Sequence, residues 1–369
     1  MNVCYFGTYE KNYPRNSMFI YGLIQNDVNV IECHVPLWEK TGFKGNEFGF
    51  SFTFLFQFLY AQLKLIGKYI FGTSKHDVIV IGYVGQLDVF LAKIFAVFGR
   101  KTLIFNPLIS LYDTVISDRE YFSKKSIKAR LFRFLDKSAC RLSDIVILDT
   151  KSHIDYFKHE LLLEDVKFEL LPVGADERVF FPLNKENNKT FEVMFVGKFI
   201  PLHGIEMIVE SANLLKNNLE IHFTLIGSGQ LKKNIKEQIT IHKLKNICLI
   251  DWIQYEELAQ KMKEADLLLG IFGTSEKATH VVPNKVFQAL AMKKPILTSD
   301  TPAIRELFTP DEHIFISQSN PVQIADKIQH ICESEEKRIL VAEKGHNYYN
   351  QNYTCKILGS KLKTILVNL

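Results

Sequence analysis

The stretch from 267 to 300, LLLGIFGTSEKATHVVPNKVFQALAMKKPILTSD, leaves few options for the surrounding fold. Leu267–Ile271 is a short apolar run suited to a strand buried on both faces. Residues 273–282 carry loop chemistry. Pro283 is expected at the first turn of a helix, where a missing N–H costs nothing. Val286, Phe287, Leu290 and Ala291 follow at helical spacing, and PILTS from Pro295 starts a second buried strand. A strand, a helix and a further buried strand make a parallel unit. Its helix N-terminus sits at the carboxyl edge of the sheet, where anions bind.

The rest of the chain repeats this grammar. Residues 2–7 (NVCYFG), 28–33 (VNVIEC), 77–82 (DVIVIG), 101–105 (KTLIF) and 144–148 (DIVIL) read as strands, separated by helical patterns such as 18–25 and 87–98. With 369 residues, 47% hydrophobic and 23% charged, the chain is long enough for two globular domains. The most polar run, near 182–190, marks the expected linker. The division reads 1–182, 183–345 and a terminal segment 346–369. The fold class is α/β, with two Rossmann-like doubly wound domains.

Charge and cysteine usage exclude several classes. A net charge of +4 is too mild to argue for nucleic acid. The cysteines at 4, 33, 140, 248, 332 and 355 form no CxxC and no zinc spacing, so they read as buried thiols of a reducing compartment. The first residues read directly as a strand, without the basic start of a signal peptide. A cytoplasmic protein is expected.

Two helical segments complicate that expectation. Residues 49–71, GFSFTFLFQFLYAQLKLIGKYIF, are rich in Phe, yet Thr53, Gln57, Lys64 and Lys68 share one helical face. Two lysines in lipid argue against a membrane span, so the segment packs broadly on a sheet or lies partly in the membrane interface. In SKKSIKARLFRFLDKSACRL, 123–142, basic residues alternate with Ile127, Leu131, Phe134 and Leu135. Two readings stand: a core-facing helix with a solvated basic face, or a surface for anionic lipid on the inner face of the plasma membrane.

In the second half, Gly197 ends FEVMFVG and permits close backbone approach over the turn that leads to Lys198 and His203. Gly227 and Gly229 form a lone GxG without the third glycine or the acidic residue of a dinucleotide fingerprint, which argues against a dehydrogenase. Trp252 and Ile253 follow a strand, where a base could stack or a core Trp could pack.

The order FVGKFIPLHGIE, LIGSGQL, DW, ADLLLGIFG, VPNKVFQALAMKKPILTSD and TPAIREL resembles the donor domain of family 4 (group 1) glycosyltransferases of the GT-B fold, over about 191–345. The N-terminal half resembles the family in architecture, through NPLISLYDT, the basic helix and LLPVGADERVFFP. The resemblance implies two Rossmann-like domains facing a central cleft, an N-terminal acceptor-binding domain and a C-terminal donor-binding domain. It also implies a C-terminal helix crossing back to the first domain. It implies a metal-independent, retaining transfer with no cofactor beyond the nucleotide-diphosphate sugar.

By the same resemblance, Lys198 and His203 face the donor diphosphate, the amides of Val282, Pro283, Asn284 and Lys285 cap its phosphates, and Gln288 meets the ribose. Gly197, Gly204, Gly227, Gly229, Trp252 and Ile253 complete the donor set. The family's two glutamates eight positions apart appear here as His280 and Gln288, with Glu276 out of register. Arg15, Asn16 and Tyr83 are the acceptor-side candidates, and Asp113 is the candidate for positioning or deprotonating the acceptor, or else a helix cap. The expected acceptor is a cell-envelope glycan or lipid-linked oligosaccharide. The alternatives are a catalytically silent nucleotide-sugar-binding or scaffold subunit, or another GT-B enzyme such as an epimerase.

Overall fold

A computed structural model describes residues 1–38, 52–73, 75–185 and 190–368. Residues 49–51 of the Phe-rich segment and 186–189 of the expected linker lie outside them. The chain divides into two compact units, Met1–Gly174 with Cys355–Leu369, and Ala175–Thr354.

The first unit runs β1 (Asn2–Gly7), α1 (Pro14–Ile24), β2 (Asn29–His34), α2 (Phe52–Gly72), β3 (Val78–Ile81), α3 (Asp88–Gly99), β4 (Thr102–Phe105), α4 (Ile127–Leu142), β5 (Ile145–Leu148), α5 (Lys151–His159) and β6 (Phe168–Leu170). Its six strands are all parallel, in the order β2-β1-β3-β4-β5-β6. The short strands VIVI and IVIL are buried at every position, as both faces of a parallel sheet require. Crossovers in one direction across the sheet share a face. Accordingly Ala61 and Leu65 of α2, Ala92 and Ala96 of α3, and Ala139 of α4 meet in one core cluster.

The second unit runs β7 (Phe191–Val196), α6 (Ile205–Leu214), β8 (Ile221–Ile226), α7 (Lys232–Ile241), β9 (Ile247–Ile250), α8 (Leu258–Met262), β10 (Leu267–Leu269), α9 (Glu276–His280), α10 (Asn284–Ala291), β11 (Ile296–Ser299), α11 (Pro302–Leu307), β12 (Phe315–Ser317), α12 (Pro321–Glu333) and α13 (Glu335–Asn352). Its six parallel strands lie in the order β12-β11-β10-β7-β8-β9. Read from the other edge, this is the doubly wound order whose connections reverse direction between the first strand, β7, and the fourth, β10.

The division of units falls at Gly174/Ala175, where the sequence reading had 182/183. Residues 175–182 are tied to the second unit: the Tyr349 hydroxyl donates to the Ala175 carbonyl at 3.1 Å, and Phe180 meets Tyr255 edge-on at 5.4 Å. The last helix, α14 (Cys355–Val367), belongs to the first unit and packs on α1. It approaches so closely that a Cβ at Gly359 would lie 2.1 Å from the Gly22 carbonyl oxygen.

Several local expectations shift. The first helix starts at Pro14, before Arg15. Pro283 is the residue before α10 and has extended backbone, so the helix begins at Asn284. The expected loop 273–282 contains α9. In α4, the residues that face the core are Ala129, Phe132, Leu135, Asp136, Ala139 and Cys140, whereas Ile127, Leu131 and Phe134 face outward among the basic residues. No helix among the described residues is long and apolar enough to cross a membrane.

Candidate active site

The reversal between β7 and β10 opens a crevice at their carboxyl ends. Four connections leave that edge: 197–204 after β7, 227–231 after β8, 251–254 after β9 and 270–283 after β10. Every donor-side residue singled out from the sequence lies on one of them or on α10.

The turns after β7 and β8 touch through glycine. Gly197 and Gly227 hold φ near +153° and +148°, and a Cβ at Gly227 would sit 1.9 Å from the Gly197 carbonyl oxygen. Only glycine fits there. Gly229 approaches the Phe199 backbone in the same way, and Gly204 is the residue before α6, pressed against Phe272 and Gly273. The result is a floor of bare backbone.

Two side chains converge on Gly197. A Cβ built there would stand 2.9 Å from Lys285 Nζ, 3.2 Å from His203 Cε1 and 3.4 Å from His203 Nδ1. The His203 ring meets Phe195 edge-on at 5.6 Å, and its Nδ1 lies 2.5 Å from the Lys198 carbonyl oxygen. That oxygen can only accept, so Nδ1 carries the proton. Lys198 is half-buried on the same turn.

Lys285 is the more informative of the two. Its ammonium is buried, has no hydrogen-bond partner among the described residues, and lies 3.9 Å from the centre of the Phe195 ring. Burial holds this amine well below the usual lysine range. Phe195 comes from β7, so the strand supplies both the ring under the cation and, two residues on, the glycine beside it. A buried cation without a counter-charge is costly, and a ligand anion relieves that cost.

Around this centre, α10 contributes its first amides, at Asn284 and Lys285, while Pro283 has none to give. Gln288 is buried one turn into α10, on the face of Lys285. His280 is buried at the end of α9, and Val282 is buried just before Pro283. Trp252 is 58% exposed rather than packed in the core, and Ile253 beside it is half-buried. A cavity of about 330 Å³, lined by Pro182, Asp266, Lys294 and Arg338 among others, lies at the amino-terminal ends of β10 and β11, the edge opposite these residues.

In the first unit, Arg15, Asn16 and Tyr83 come together where β1 and β3 meet, the reversal point of that sheet. Their polar groups are largely engaged with the protein. Arg15 is fully buried and donates to Asn106 Oδ1 at 3.0 Å and to the Leu171 and Pro172 carbonyls at 2.8 Å. Asn16 donates to the Glu10 and Tyr83 carbonyls and accepts from the Tyr83 amide and the Tyr5 hydroxyl.

Asp113 is buried as the first residue of a π-helical turn, Asp113–Asp118. Its side chain is not the cap of that turn. Ser110 Oγ accepts the Asp113 amide at 3.0 Å, and Ser110 in turn donates to Asp136 at 2.7 Å. Asp136 also accepts from the Leu111 and Tyr112 amides, and burial pushes its carboxyl up to about 6. Sequence reading missed Asp136, although a lone acid in a basic helix was the available signal.

Comparisons with known proteins bear on the fold that carries these residues. The family model for glycosyl transferases group 1 matches residues 176–348. An uncharacterised glycosyltransferase of Methanocaldococcus jannaschii is 25% identical over 228 residues, 61% of this chain. The chain spans 59% of that relative's length. Among solved structures, a sucrose-phosphate synthase from Thermosynechococcus elongatus superposes over 100% of this chain and 98% of its own, with a TM-score of 0.77 at 13% identity. Anabaena HepE in complex with UDP covers 100% of this chain and 99% of its own, with a TM-score of 0.69 at 14% identity. At such identities these likenesses speak to the fold. Residues 176–348 thus match the glycosyl transferases group 1 family model, and the chain that carries them has the GT-B fold.

Proposed function

We propose that the chain transfers a sugar from a nucleotide-diphosphate sugar to a hydroxyl of a glycan or lipid-linked acceptor, with retention at the anomeric carbon and no metal. The observation that carries this reading is the buried, unpartnered Lys285 ammonium beside the bare backbone of Gly197. A diphosphate fits it: the anion supplies the missing counter-charge, and the glycine floor lets it approach. HepE was solved with UDP and with UDP-glucose, which makes uridine sugars the first donors to test.

The chemistry turns on the leaving group. As the bond from the anomeric carbon to the diphosphate oxygen breaks, negative charge grows on that oxygen. Lys285, Lys198, a protonated His203 and the first amides of α10 stabilise it more in the transition state than in the ground state. The acceptor oxygen forms the new bond, and its proton passes to the departing diphosphate. Gln288 holds the ribose. Asp113 orients the acceptor hydroxyl. The basic segment 124–141 holds the protein at an anionic membrane surface on the cytoplasmic side. Lys198→Ala should lower donor turnover about tenfold with the fold intact, as for loss of one charge-stabilising donor; unchanged kinetics would remove Lys198 from this role.

A second reading is favoured by His280 and Gln288 standing where the family has a pair of glutamates: a sugar-nucleotide binder without turnover. Tight UDP binding with no hydrolysis or transfer from any UDP-, GDP- or ADP-sugar supports it; measurable turnover ends it.

A further inference from the structure

We infer that α2, α3 and α4 of the first unit form a wedge that enters the acyl-chain boundary of one leaflet of an anionic bilayer. This deepens the peripheral-membrane reading of 124–141 and rests on it for the choice of lipid.

The first observation is that α2 has two apolar faces. Its buried stripe is narrow: Ala61 and Leu65 face the sheet, and Phe54 packs on Leu37 and Trp38. The opposite side is apolar as well. Phe52, Leu55, Phe56, Leu59, Leu63 and Ile70 fall at i, i+3, i+4, i+7, i+11 and i+18, one continuous face of an α-helix, and all are exposed. Phe56 and Leu63 expose 72% and 67% of their surfaces. A helix that only covered a sheet would carry polar residues there.

The second observation is continuity. Tyr69 of α2 stacks on Phe95 of α3 at 4.0 Å, and α3 packs on α4, so the three helices lie side by side. Phe98 at the end of α3 is 85% exposed. On α4, Ile127, Leu131 and Phe134 form a third outward apolar row at i, i+4 and i+7. Exposed contiguous apolar surface on this scale marks an interaction face.

The third observation selects the partner. Neither α2, α3 nor α4 exposes a carboxylate: their only acids are Asp88 and Asp136, and both are buried. Lys124, Lys125, Lys128 and Arg130 stand exposed around the α4 row. Aromatic and aliphatic side chains ringed by cations, with no acid among them, match an interface of acyl chains and anionic headgroups. A second copy of the chain would oppose like charges across the same face.

The test is flotation of the full-length protein with phosphatidylcholine vesicles, with and without phosphatidylglycerol, at low and high salt. The parent should float with the anionic vesicles and keep part of that binding at high salt. Leu55→Gln/Leu59→Gln/Leu63→Gln should lose the salt-resistant part and bind about tenfold more weakly. Its melting temperature and its stabilisation by UDP should stay unchanged. Because that triple variant changes a helix facing the core on its other side, Leu59→Trp serves as a second readout: its emission should shift to the blue when anionic vesicles are added. Equal salt-resistant flotation of parent and triple variant, or no shift at Leu59→Trp, overturns the proposal. So does a parent dimer that the triple variant dissolves. No donor enters the assay. A catalytically silent protein would still float, and an active one that stays in the aqueous fraction would refute the surface alone.

Discussion

Lys285 holds its ammonium 3.9 Å from the ring centre of Phe195 and has no hydrogen-bond partner among the described residues. Such a group trades stability for binding. Lys285→Met should raise the melting temperature by a few degrees, since an apolar chain of similar length replaces a buried amine without a hydrogen-bond partner. The same variant should lose most of the stabilisation that UDP gives the parent. A lower melting temperature with UDP stabilisation intact would place the diphosphate elsewhere.

The depressed titration of Lys285 makes a separate forecast. Burial favours the neutral amine in the free protein, and a bound diphosphate favours the ammonium. Binding should therefore take up protons, and UDP affinity should fall as pH rises. Calorimetry in buffers of different ionisation enthalpy measures the uptake directly. Lys285→Met should reduce it, and an unchanged uptake would assign the proton to another group.

Gly197 and Gly227 differ in what surrounds them. A Cβ at Gly197 meets Lys285 Nζ at 2.9 Å, the far end of a flexible chain, whereas one at Gly227 meets a carbonyl oxygen at 1.9 Å. Gly197→Ala should cost about 1–2 kcal/mol through its backbone conformation and weaken UDP binding. Gly227→Ala forces two turns apart and should cost upward of about 4 kcal/mol, seen as insoluble expression or a lost melting transition.

Asp136 couples the segment around Asp113 to pH. Its folded carboxyl titrates near 6, above the ordinary value of 3.8. A raised carboxyl contributes stability fully present below the unfolded value and lost as pH rises through the folded one. The margin of the parent over Asp136→Asn should therefore narrow by about 2 kcal/mol between pH 4 and pH 7. Denaturant titrations of both proteins across that range check it. A constant margin would mean that Asp136 ionises normally.

Gly359 and Gly22 let α14 and α1 meet at backbone distance. Gly359→Val should cost about 2–4 kcal/mol and loosen amide protection in both helices. Gly67→Ala is the control: nothing lies within 4 Å of its Cβ, so that change should stabilise α2 by about 0.5–1 kcal/mol.

How much of this was legible beforehand follows from what each feature depends on. Strands such as VIVI and IVIL announce themselves by local composition, so the two doubly wound sheets were readable. The donor-side turns were readable because glycine positions and chain order travel together. The setting of Arg15 was not: it is buried by three acceptors distant in sequence, at Asn106, Leu171 and Pro172. Which of the two readings of Ile127, Leu131 and Phe134 holds was not legible for a related reason. Helical spacing gives faces but not which face meets the sheet, and the smaller Ala129 and Ala139 are what fit against α3 and the core.

The first unit is not contiguous in the chain: residues 355–367 complete it after the whole second unit has passed. A ribosome therefore delivers the sheet of Met1–Gly174 with its α1 flank still bare. The Ala175–Thr354 unit has all its residues before that flank is covered. The second unit can reach its native state during synthesis, while the first waits on its last helix, and chaperones would meet this chain through the exposed side of α1.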